Sequence, residues 1–144
     1  MDNTVYRHQY RVIYADTDAG GIVYNGNYLR FFEIGRTEMM REQVCSYKDV
    51  EKRGLILPVT ESYLRYKAPA FYDDLIIIET KLTELKKVSC KFTYKIVRAD
   101  TETGKEKLLT RGYTVHASVN FKGKLTPLPE DLVASMQSML FQKD

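Results

Sequence analysis

Two carboxylates one residue apart, Asp16 and Asp18, stand just before a glycine pair in the run Tyr14-Ala15-Asp16-Thr17-Asp18-Ala19-Gly20-Gly21-Ile22-Val23-Tyr24-Asn25-Gly26-Asn27-Tyr28. A carboxylate on an irregular, glycine-containing segment can take a proton from water or attack a carbonyl carbon itself. Backbone N–H groups left free in such a segment can face a ligand. Aspartates before a helix also serve turns and caps, so the residues alone leave catalysis and architecture both open. Asn25 can orient a water or a carbonyl by hydrogen bonding but cannot carry a proton. Tyr14 reads on its own as the last core residue of a strand.

Other reactive side chains form no comparable group. His8 and His116 are far apart in the chain and share no metal-ligand spacing, which fits surface or satisfied strand histidines. Cys45 and Cys90 lack CxxC spacing and read as small buried residues, one at a helix end and one inside a strand. Glu33 and Arg36 are three apart on a predicted helix and are expected to pair. Lys86, Lys87, Lys91 and Lys95 suit either phosphate contacts or a solvated strand face. No P-loop, metal-ligand set or cofactor motif occurs, so neither a metal nor a bound organic cofactor is expected.

The Asp-x-Asp run needs elements on either side to hold it. Tyr6 to Tyr14 alternates aromatic and β-branched residues and predicts a first strand. From Asn27 to about Glu42, Tyr28, Phe31, Phe32, Gly35 and Met39 recur at helical spacing and predict one amphipathic helix. A loop around Arg53-Gly54 leads to strands over Leu57–Tyr66, Leu75–Leu85, Val88–Arg98 and Leu108–Phe121. The Asp100-Thr101-Glu102-Thr103-Gly104-Lys105 turn links two of them, and a short helix ends near Phe141. Strands joined by hairpins make an antiparallel sheet, and one long apolar-faced helix needs such a sheet to cover. Leu75 and Ile77 alternate with Ile76 and Ile78, so this strand carries apolar residues on both faces and a subunit contact is expected to bury the second.

The chain has 144 residues, 44% of them hydrophobic, which suits one domain over residues 1–144. A net charge of +3 from 22 basic and 19 acidic residues excludes the dense basic stripe of a nucleic-acid binder, yet leaves room for a polyanionic small ligand. Met1-Asp2-Asn3-Thr4 opens no basic, apolar leader, and no apolar run reaches the roughly 20 residues of a membrane span. A cytoplasmic protein with no membrane insertion is therefore expected.

The aromatic strand end, the Asp16-Thr17-Asp18 cluster, Gly21-Ile22-Val23-Tyr24 and the Asn27-Tyr28 helix opening together resemble the signature of the 4-hydroxybenzoyl-CoA thioesterase family. The likeness continues through Phe31-Phe32-Glu33 and Arg36, then more weakly at Leu57-Pro58-Val59 and Tyr72-Asp73-Asp74-Leu75. It is similar in particular to the bacterial short-chain acyl-CoA thioesterases associated with the Tol-Pal cluster. The resemblance implies an α+β hotdog fold, an antiparallel sheet around one central helix, and hydrolysis of an acyl-CoA to a free acid and coenzyme A. It further implies a homo-oligomer, dimer or tetramer, with Asp18 as general base or nucleophile and Tyr14 assisting. A glycine N–H at the helix N-terminus is implied to polarise the thioester carbonyl. The chain departs from the pattern at Asn25, where many relatives carry histidine. A thiol with a pKa near ~8.5 leaves without a strong acid, so hydrogen bonding at this position suffices. Two other readings are a hotdog enoyl-thioester hydratase or dehydratase and a non-catalytic acyl-CoA-binding module. The first needs a close Asp and His pair, which this chain does not offer in sequence.

Overall fold

The structure is a computed structural model that describes residues 4–142; the leader reading at Met1-Asp2-Asn3 lies outside them. Along the chain run β1 (Tyr6–Arg11), α1 (Asn27–Gln43), α2 (Tyr47–Lys52), β2 (Leu55–Ile56), β3 (Val59–Tyr66) and β4 (Leu75–Leu85). They are followed by β5 (Ser89–Ala99), β6 (Glu106–Ala117), β7 (Val119–Asn120) and α3 (Glu130–Ser138). Five strands form one antiparallel sheet in the order β1-β4-β5-β6-β3, while β2 and β7 pair separately.

The helix follows from its apolar spacing. Tyr28, Phe31, Phe32, Gly35 and Met39 are all buried, and the 17 residues of α1 give about 25 Å of axis to lay on the sheet. Phe32 stacks flat on Tyr94 of β5, ring centroids 4.1 Å apart. Gly35 has to be glycine, because a Cβ there would lie 2.3 Å from Thr80 Oγ1 and 2.7 Å from Ile78 Cγ2 of β4. Ile76, Ile78 and Leu82 of β4 and Phe92, Tyr94 and Ile96 of β5 complete the layer beneath it.

Several expected boundaries move. The first strand stops at Arg11, and Tyr14–Asp16 forms a 3-10 turn instead of continuing it. The cause is Asp16, whose carboxylate accepts the Ile13 N–H at 2.9 Å and pulls the chain out of the ladder. Pro58 cannot donate to a ladder, so the strand expected from Leu57 begins only at Val59 as β3, and the separate short β2 precedes Leu57. The turn between α1 and β2 holds α2, capped by Ser46, whose Oγ accepts the Asp49 N–H at 3.2 Å.

On the second face of β4 the single chain already buries Ile77 and leaves Leu75 half-buried. Ile77 and neighbouring Val97 are only 7% and 9% exposed within the single chain. Uncovered apolar surface lies elsewhere, along β3 and the adjoining flank of α1, where Leu29, Val59, Tyr63 and Tyr66 are exposed. No helix among the described residues is long and apolar enough to cross a membrane.

Candidate active site

The two aspartates have different surroundings. Asp16 is 1% exposed, and its carboxylate accepts hydrogen bonds from the Tyr10 hydroxyl at 2.8 Å and the Ile13 N–H while pairing with Arg30 of α1. Its carbonyl oxygen accepts from the Tyr24 N–H at 2.9 Å and from Asn27 Nδ2 at 2.7 Å, which ties the start of α1 to the turn. With its lone pairs so occupied, Asp16 is a structural knot.

Asp18 instead sits at the exposed corner of a tight reversal. Its N–H donates to the Ile22 carbonyl at 2.9 Å, and its own carbonyl accepts from Gly21 N–H at 3.0 Å. Gly21 turns the corner at φ +83°, a conformation that favours glycine. The carboxylate accepts the Gly20 N–H at 2.8 Å, an aspartate turn that fixes the side chain without burying it. Buried Val23, whose N–H donates to the Ala70 carbonyl at 2.9 Å, anchors the far side of the loop.

A cleft of about 450 Å³ opens at this corner, with Asp18, Asn25, Tyr28, Tyr66 and Lys67 among its lining. The N–H of Asn25 has no acceptor among the described residues, and it lies beside the N-terminus of α1, the electropositive end of the helix. The Tyr66 hydroxyl donates to the Asn25 carbonyl at 3.1 Å, and Tyr28 packs edge-on against the Tyr66 ring with centroids 5.4 Å apart. Asp18 and Asn25, predicted from the sequence, thus share one cleft. Tyr14 is not part of its lining; it is 73% exposed and stacks on Tyr72, ring centroids 4.0 Å apart.

Lys67, Tyr66 and Tyr28 escaped the sequence reading as site residues. Lys67-Ala68-Pro69 reads locally as a strand stop, and Tyr28 as helix core. The signal was β3 ending beside the helix that Asn27 and Tyr28 open, which only the sheet order reveals. Lys86 and Lys87 sit on the turn after Leu85, while Asp74 at the opposite end of β4 accepts the Val12 N–H near the aspartate loop. The 11 residues of β4 put about 33 Å between the two ends, beyond reach of this cleft in one chain.

A second cavity of about 290 Å³ lies between the later turns of α1 and the strands β5 and β6, with Arg36, Met40, Leu57, Phe92 and His116 among its lining. His116 is buried, and burial pulls its pKa down to about 4. Its Nδ1 faces the Leu57 carbonyl at 2.9 Å, an acceptor only, so Nδ1 carries the proton and Nε2 accepts from Thr114 Oγ1 at 2.7 Å. Tyr94 OH, 2.6 Å from Thr114 Oγ1, then donates to that hydroxyl, and Arg36 Nη1 donates to Tyr94 OH at 3.5 Å. This directed chain uses both ring nitrogens of His116, and Asp18 is not in its cavity. Glu33 and Arg36, expected to pair, form no ion pair among the described residues. Both cysteines are free; Cys90 is buried, and desolvation pushes its thiol up to about 12.

Residues 12–136 match the thioesterase-like superfamily. The acyl-CoA thioester hydrolase YbgC of Escherichia coli O6:H1 is 35% identical over 138 residues, covering 95% of this chain and 99% of that protein. A crystal structure of a hypothetical protein from Aquifex aeolicus superposes with TM-score 0.82 at 30% identity, covering 91% of this chain and 98% of that one. A mutant 4-hydroxybenzoyl-CoA thioesterase in complex with 4-hydroxybenzoyl-CoA superposes with TM-score 0.83 over 92% of this chain and 99% of its own, and at 21% identity this likeness speaks to the hotdog fold alone.

Proposed function

This chain belongs to the thioesterase-like superfamily, and from that premise we propose that it cleaves acyl-CoA thioesters to a free acid and coenzyme A with Asp18 as the working carboxylate. Thioester hydrolysis follows from the family and from a relative that spans nearly the whole chain. The assignment to Asp18 rests on one observation: exposed Asp18 and Asn25, whose N–H has no acceptor among the described residues, line the same cleft beside the N-terminus of α1.

The chemistry needs little more. Asp18 takes a proton from a water that attacks the thioester carbonyl carbon, or its own oxygen attacks that carbon and water then opens the anhydride. In either case the carbonyl oxygen becomes an oxyanion, which the Asn25 N–H and the helix dipole stabilise. The tetrahedral centre then expels the thiolate, and the proton taken from water passes to it. Single turnover in H₂¹⁸O reveals a nucleophilic Asp18 when water opens the anhydride at the Asp18 carboxyl carbon, since the first product then carries the ¹⁶O of Asp18 and the ¹⁸O stays on the enzyme. Tyr14 supports the loop through its Tyr72 stack in this reading, and the Asn25 carboxamide orients water or substrate.

The assembly is a homo-oligomer, for which the uncovered β3 edge beside exposed Leu29 and Val59 is the natural contact. Two free thiols fit a reducing cytoplasm. The test is thiol release from a panel of acyl-CoAs by wild type and Asp18→Asn. Wild-type release with at least a hundredfold loss in Asp18→Asn supports the assignment. An Asp18→Asn variant of full activity removes Asp18 from the chemistry, and a wild type that binds acyl-CoA without releasing thiol is a binding module.

A further inference from the structure

The face of the sheet turned away from α1 carries a transverse row of charge. Register aligns Arg7, Glu79, Lys95, Arg111 and Arg65 across β1, β4, β5, β6 and β3 in turn. Arg7 takes up Glu79 at 2.8 Å and also pairs with Glu106. Lys95, Arg111 and Arg65 are then left side by side on adjacent strands, all exposed, with no ion pair among the described residues. The other acid nearby on this face is Glu61, four residues back along β3 from Arg65.

Folding does not ask for this arrangement, because like charges directly opposite one another on neighbouring strands destabilise a sheet. The row lies close to the cleft: Lys67, which lines it, is two residues beyond Arg65, or about 6.6 Å along the strand. Arg111 and Lys95 follow at one strand spacing each, about 4.8 Å. One row further, Tyr63 and Tyr113 stack with centroids 5.5 Å apart, Tyr63 is 43% exposed, and Lys91 Nζ sits 4.3 Å over the Tyr113 ring. Cations followed by an accessible aromatic face match a diphosphate followed by a purine. A second copy is a poor occupant, because a two-fold contact would set this row of cations against itself.

We infer that Arg65, Arg111 and Lys95 bind the phosphates of the coenzyme A end of the substrate, whose pantetheine arm runs over Lys67 into the Asp18 cleft. The inference rests on the thioesterase reading for its ligand but not for its readout, which is binding as well as turnover.

The experiment compares wild type with Arg65→Ala/Arg111→Ala, using acyl-CoA and the acyl-pantetheine of the same acyl group, alongside calorimetric titration with coenzyme A and with pantetheine. The expected result is a rise of about tenfold or more in KM for acyl-CoA and a matching loss of coenzyme A affinity. KM for acyl-pantetheine should move less than twofold, and the salt dependence of KM for acyl-CoA should flatten. A double variant that keeps wild-type affinity for coenzyme A overturns the inference, as does an equal loss on both substrates with an altered thermal melt. If wild type releases no thiol, the thioesterase reading fails by itself, and the coenzyme A titrations still decide for or against the patch.

Discussion

Arg30 reaches back from the first turn of α1 to the buried carboxylate of Asp16, locking the helix to the turn that precedes the cleft. Two residues on, Asp18 is exposed and among the described residues makes no ion pair, its carboxylate accepting only the Gly20 N–H. The pair predicts a clean division of labour. Asp16→Ala leaves the Tyr10 hydroxyl, the Ile13 N–H and Arg30 without their shared acceptor and should lower stability by about 2–4 kcal/mol. Asp18→Asn should melt within a degree or two of wild type while losing turnover. Denaturant unfolding of both variants beside steady-state kinetics checks this, and a well-folded, inactive Asp16→Ala would reverse the roles.

The hotdog plan was legible because the apolar spacing of α1 and the alternation in β4 and β5 are long and regular. The pattern Asp16-Thr17-Asp18 marked the candidate site as well, but which carboxylate faces solvent depends on Arg30 and Tyr10, 20 positions apart in the chain, which meet at Asp16 only when α1 packs. The six-residue α2 was not legible, since a helix that short buries only Val50 and shows no periodicity. Lys67 was hidden for a different reason: its place in the cleft comes from β3 lying at the edge of the sheet beside α1, a long-range fact that no local window contains.

His116 gives the fold an acid limit. Burial holds its pKa at about 4, below the ordinary 6.5, so the folded chain binds a proton here less readily than the unfolded chain does. The neutral ring contributes stability that is fully present above about pH 6.5 and is lost progressively as pH falls toward 4. The full loss is on the order of 3 kcal/mol. Urea unfolding at pH 7 and pH 4.5 should show this loss in wild type and a smaller one in His116→Gln. Equal losses in the two proteins would assign the acid sensitivity to other groups.

The edge of β3 makes an assembly prediction. Leu29 and Val59 are 43% and 46% exposed on adjoining elements, and β3 has a sheet partner on one side only. Leu29→Lys/Val59→Lys places charge on that contact and should shift light scattering toward the 16.7 kDa monomer. Wild type at the same micromolar concentration should report at least twice that mass. A wild-type monomer with full activity would remove the oligomer from the account.

Asn25 carries the last prediction. Its N–H is a backbone donor that survives any side-chain change, whereas its carboxamide bonds to no described residue and is free to hold water or substrate. Asn25→Ala should therefore cost about one hydrogen bond to the transition state, on the order of 0.5–3 kcal/mol, or up to roughly a hundredfold in kcat/KM. Asn25→His is the sharper variant. If a proton had to be delivered to the leaving group, histidine would raise the rate and add an ionisation near pH 6–7. A thiolate leaves without that help, so Asn25→His should be neutral or harmful and should leave the lower limb of the pH–rate profile in place. The measurement is kcat/KM against pH for the three proteins on one acyl-CoA. An Asn25→Ala enzyme as active as wild type would reduce this residue to its backbone, a turn position that serves the oxyanion with its N–H alone.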